Sequence, residues 1–150
     1  MQENGQLEVL VGEWEIVTNW HGQTLRGASA SFEWIEDGAF MRMHSDVEPE
    51  SELAQAWGDQ APFPITAIIG ADDPSGTYSY QYADGRPVHR VYSMTFDERE
   101  WRTWGVAGPE FHQRSIGTVS EDGNRIDVRY EQSPNGENWE LDFEATYVRR

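Results

Sequence analysis

The chain contains no cysteine, which removes disulfide frameworks, thiolate metal sites and thiol nucleophiles together. It has no apolar run near the eighteen or so residues that a helical membrane span requires. Its opening residues show no basic segment followed by an apolar stretch, so the expected location is the cytoplasm. Basic residues are scarce, with 11 Lys and Arg against 27 Asp and Glu and a formal charge of −16. Such a field repels nucleic acid and anionic lipid, and both are excluded as partners. The acidity reads as a solvated outer surface rather than as the mark of a dedicated cationic partner.

Chemical motifs are equally sparse. Gly-x-Ser-x-Gly, a Walker loop and Gly-x-Gly-x-x-Gly are all missing, which leaves serine-hydrolase and nucleotide chemistry without support. The four histidines, His21, His44, His89 and His112, have no spacing typical of metal ligands. Neither a metal nor a cofactor is expected.

What the chain does have is alternation. With 150 residues it is long enough to bury a core as one domain, residues 1–150, and period-two patterning recurs along nearly all of it. The first strand sets Trp14, Ile16, Thr18 and Trp20 on one face, and the second does the same with Ala28, Ala30, Phe32 and Trp34. Further strands are expected over 40–48, 65–70, 77–83, 88–96, 101–106, 111–119, 125–131 and 139–148. Turn residues punctuate them: Asp72-Asp73-Pro74-Ser75-Gly76, Asp84-Gly85, Asp97-Glu98-Arg99, Asp122-Gly123 and Asn135-Gly136.

About ten hairpin-linked strands leave exposed edges unless the sheet closes. The predicted fold is therefore all-β, an antiparallel up-and-down β-barrel of about ten strands; a two-sheet sandwich would need longer crossovers. A short N-terminal helical segment over 6–11 is expected to plug one end with Leu7 and Leu10. The long connection from Pro49 to Pro64 carries Leu53, Ala54, Ala56 and Trp57, which suit a helical turn laid over the other end. A loop of this length is a lid or a flexible insert.

The segment Leu7-Glu8-Val9-Leu10-Val11-Gly12-Glu13-Trp14 resembles the opening of calycin-type barrels, in which Gly-x-Trp packs the barrel base. Glu36-Asp37-Gly38-Ala39-Phe40, Ile68-Ile69-Gly70-Ala71-Asp72-Asp73, Arg90-Val91-Tyr92-Ser93-Met94, Phe111-His112-Gln113-Arg114 and the closing strand Trp139 to Tyr147 resemble small bacterial lipocalin-like proteins. This resemblance implies the barrel, related to fatty-acid-binding proteins, and no particular chemistry. A neighbouring family, the nitrobindins, binds haem and carries Gly-x-Trp-x-Gly-x-Gly. Here Gly12-Glu13-Trp14 is followed by Glu15, Ile16 and Val17, and the missing glycines weigh against haem.

Candidate site residues come from the strand faces. The sixth strand groups Arg90, Tyr92, Met94 and Phe96, a face apolar enough to be internal, so Arg90 points to the cavity or its mouth. An uncompensated charge there needs an acidic partner, water or an anionic ligand, and a rim carboxylate is the favoured partner. On the eighth strand Gln113 shares a face with Phe111 and Ser115, where it is an internal amide able to bond a ligand, its neighbours or water. Tyr78, Tyr80 and Tyr82 form one face of the fifth strand, and Trp101 and Trp104 lie on opposite faces of the seventh. On the third strand either Phe40, Arg42 and His44 or the set Met41, Met43 and Val47 faces inward; the resembling proteins, with a large polar residue near position 44, imply the former.

Arg90, Tyr92, Gln113, His44, Tyr80 and Trp104 are the expected ligand contacts. The expected function is non-catalytic binding of a small, mostly apolar molecule with one polar group, by a carrier or sensor acting as monomer or homodimer. Alternatives are a cofactor-independent isomerase, cyclase or lyase using His44 or a tyrosine with Arg90, a haem protein ligated by His44 or His112, and an interaction module using the outer face of the sheet.

Overall fold

Alternating side chains bounded by turn residues produce ten strands in the computed structural model, which describes residues 4–72 and 74–150. They are β1 (Gly12–Trp20), β2 (Gln23–Ile35), β3 (Phe40–Val47), β4 (Ile65–Asp72), β5 (Thr77–Asp84), β6 (Val88–Asp97), β7 (Glu100–Gly108), β8 (Phe111–Val119), β9 (Arg125–Ser133) and β10 (Glu140–Arg149). Each strand pairs antiparallel with the next, and β1 pairs with β10 to close the barrel. Closure leaves no sheet edge to aggregate. Asp73, in the turn expected between β4 and β5, lies outside the described residues.

The inner faces follow the expected alternation on most strands. Trp14, Ile16 and Thr18 of β1, Ala28, Ala30 and Phe32 of β2, and Met94 and Phe96 of β6 are all buried. On β3 the structure reverses the expectation: Met41, Met43 and Ser45 are buried, whereas Arg42 and His44 are exposed. Arg42 forms an ion pair with Glu33 of β2 on the outer surface. Leaving a guanidinium and an imidazole in water spares their desolvation, and the apolar methionine side chains gain from burial.

The two ends of the barrel differ. A 3-10 segment, Asn4–Leu10, shuts one end with Leu7 and Leu10 fully buried. The Trp14 indole N–H donates to the Leu10 carbonyl at 2.9 Å. The Arg149 guanidinium donates to the Val9, Val11 and Gly123 carbonyls at 2.5, 2.6 and 2.9 Å, and lies 4.1 Å from the centre of the Trp14 ring. The largest buried side chains, Trp14, Tyr78, Phe32 and Phe96 among them, form the core.

The connection between β3 and β4 crosses the other end and carries α1 (Glu52–Trp57), which starts where the Ser51 hydroxyl accepts from the Ala54 N–H at 3.2 Å. It lies so close to β2 that a Cβ on Gly27, at φ +131°, would come within 2.2 Å of the Ser51 side chain. Leu53 is fully buried beneath it. No helix among the described residues is long and apolar enough to cross a membrane.

Candidate functional site

Towards the α1 end the packed interior gives way to a cavity of about 410 Å³, a volume in the range of small-molecule sites. Its apolar walls include Ile16, Met43, Trp101 and Val128, together with Trp57 of α1. Polar side chains reach it from several strands in distinct groups.

The first group is Arg90, Tyr92 and Gln113. Alternation on β6 and β8 aims all three inward, and β7 lies between those strands. The inward position of β7 that separates them is Gly105, which pairs with Gln113. A Cβ there would come within 2.9 Å of the Tyr92 ring, so the missing side chain is what lets β6 reach β8 across β7. The Gln113 carbonyl oxygen accepts from the Tyr92 hydroxyl at 2.5 Å and from Arg90 Nη1 at 3.1 Å. Arg90 Nη1 is also 3.4 Å from the Tyr92 oxygen, and its guanidinium lies 5.8 Å from the centre of the Phe111 ring. Among the described residues Arg90 forms no ion pair. Among the described residues the rim carboxylate expected for it is not there, and the rest of its five-donor fork has no protein acceptor.

A second group, Tyr82, Asp84 and Arg86, is self-contained. The Asp84 side chain is 0% exposed and accepts from the Tyr82 hydroxyl at 2.6 Å, Arg86 Nη2 at 2.7 Å and the Arg86 backbone N–H at 2.8 Å. Burial alone would raise the Asp84 carboxyl, but these bonds outweigh it and hold the group below its ordinary value. Burial, then the bond to Asp84, pushes the Tyr82 phenol well up. Glu131 is likewise satisfied by Arg114 Nε at 2.6 Å and Arg129 Nε at 2.9 Å. Those bonds overcome the effect of burial and keep its carboxyl low.

Asp142 differs from both carboxylates. It lines the cavity, and burial raises its carboxyl, offset only by the charge of His21. Tyr80, Tyr130 and Tyr147 contribute phenols that burial pushes up, so at neutral pH they are neutral hydroxyls. The Tyr130 and Tyr147 oxygens are 3.5 Å apart.

Of the six residues expected to contact ligand, Arg90, Tyr92, Gln113 and Tyr80 share this cavity, with the Tyr80 and Tyr92 ring centres 6.3 Å apart. His44 is on the outer face, its Nδ1 3.4 Å from the Thr66 hydroxyl. Trp104 is also outside and 41% exposed, because alternation on β7 sends Trp101, Thr103 and Gly105 inward. Tyr82, Arg86 and Asp142 line the cavity and were not among the six. Tyr82 belonged to the recognised stripe on β5, whereas nothing in the alternation marked Asp142. No histidine among the described residues lines the cavity, so neither a histidine base nor a histidine ligand to haem is available within it.

No protein-family model and no curated protein matches this chain. Any functional reading therefore rests on the chemistry of the cavity itself.

Proposed function

We propose that the barrel binds a small, mostly apolar molecule carrying an anionic group, and that it acts as a lipocalin-like carrier or sensor in the cytoplasm. The observation that carries this reading is the Arg90 guanidinium, set into an apolar cavity with only neutral partners, Tyr92 and Gln113. A cation held in such surroundings costs the fold free energy unless something compensates it. A carboxylate would accept two parallel bonds from the free side of the fork, while the aromatic walls take up the apolar body.

Native and denatured mass spectra of the protein purified from its own host would reveal a co-purifying molecule. Calorimetric titration with aryl-substituted carboxylic acids and their uncharged amides tests the anchor. The acids are expected to bind more tightly than the amides, and Arg90→Gln to remove about ten-fold or more of the acid affinity. Full affinity for the acids in Arg90→Gln would overturn the proposal.

A further inference from the structure

Among the described residues the cavity holds two charged side chains that form no ion pair, and their signs differ; the charge of His21 acts on Asp142 without pairing with it. Arg86 is paired with Asp84, and Arg114 with Glu131. The other two charged residues of the lining are Arg90 and Asp142, and neither enters an ion pair among the described residues.

Asp142 reaches the cavity through an irregularity. Leu141 pairs with Glu131 and Phe143 with Tyr130, although those partners are consecutive, so Asp142 is the extra residue of a β-bulge. In a regular strand Asp142 and Phe143 would point to opposite faces; here both line the cavity. The Phe143 ring lies 5.2 Å from Trp57, which lies 6.1 Å from Trp20, and both tryptophans belong to the same lining. A carboxylate that shares a cavity lining with tryptophan rings suits an organic cation: the carboxylate takes the N–H donors and the rings attract the charge.

Arg90 offers the reverse chemistry from another wall. Three strands separate β6 from β10 in one direction and five in the other, so the two charges enter the cavity from different walls. We infer that the ligand of this cavity is zwitterionic, an apolar body with an ammonium group received by Asp142 and an anionic group received by Arg90. This inference rests on the proposed function and specifies the second pole of the ligand. It also fits the protein's field: a formal charge of −16 repels a purely anionic molecule, whereas charges that balance within the ligand remove that penalty.

Two isosteric probes test it in the intact protein: 4-[4-(aminomethyl)phenyl]butanoate, and 4-(4-ethylphenyl)butanoate, in which a methyl replaces the ammonium. The amino compound is expected to bind about ten-fold or more tightly than the ethyl compound. In Asp142→Asn that ratio falls to about one or below, and in Arg90→Gln both affinities drop while the ratio persists. An ethyl compound that binds the natural protein as well as the amino compound does, or an amino preference that survives in Asp142→Asn, would overturn the inference. If the ethyl compound nevertheless binds in an Arg90-dependent way, the simpler reading of an apolar anion stands. Binding of neither probe overturns both. The comparison of probes on the natural protein needs no variant to fold.

Discussion

Two arginines four positions apart on the same wall have opposite fates. Arg86 spends its donors on a carboxylate that is completely enclosed, while Arg90 meets a tyrosine and an amide. The Asp84 cluster is therefore a support, and the Arg90 cluster is the receptor of the proposed function. Asp84→Asn should strand the Arg86 charge and weaken the Tyr82 bond, costing about 2–4 kcal/mol in urea denaturation. Acid titration separates the carboxylates further. Asp84 and Glu131 are held below their ordinary values of 3.8 and 4.5, so the unfolded chain binds protons before the folded one does. Their stabilisation is complete above those values and is lost as pH falls through the folded ones. Asp142 is raised and runs the other way: the folded state holds its proton longer, and stability falls as pH climbs from 3.8 through the raised value. Asp142→Asn is expected to raise the urea midpoint at pH 7 and not at pH 3, by up to about 0.5 kcal/mol given its partial exposure. A lower midpoint at pH 7 would contradict this.

At the level of the strand, two departures from regular alternation build the site. Gly105 opens a gap through which β6 reaches β8, and the bulge beside Leu141 turns Asp142 inward. Gly105→Ala places a methyl against the Tyr92 ring; it should cost about 1–3 kcal/mol and weaken carboxylic acid binding several-fold, measured by denaturation and calorimetry on the same variant. These departures also mark where sequence reasoning stops. Faces were legible on β1, β2, β6 and β8, where one set of alternate residues is plainly more apolar. On β3 both sets mix apolar and polar groups, and the contrast between Arg42 with His44 and Met41 with Met43 was resolved the wrong way. Gly105 has no side chain to mark the gap it leaves beside Tyr92, and a bulge shifts the register without a composition signal. The contact of Arg90 with Gln113 joins positions 23 apart, so local periodicity places each side chain but not the pair.

Across the whole barrel, close packing and open cavity are divided between the ends. The 3-10 segment, Trp14 and Arg149 close one end by packing and by hydrogen bonds to backbone carbonyls, while the unpaired charges line the cavity towards the other. Leu10→Ala should therefore cost about 2–5 kcal/mol of stability and leave ligand affinity at 25 °C unchanged, provided the variant is assayed where it remains folded. A parallel loss of affinity would mean that the two ends are coupled.

The seam between β1 and β10 gives the barrel a kinetic character as well. Trp14 pairs with Arg149 and Ile16 with Tyr147, contacts that join opposite ends of the chain and carry a large loop-closure entropy. The hairpins can form first, each from neighbouring residues, and the ring closes only when two unpaired strands find one another. Ile16→Val, a small deletion at that seam, is expected to appear almost wholly as faster unfolding, with the refolding rate little changed. The circle that leaves no edge in the finished molecule has two edges in any intermediate that forms before β1 meets β10.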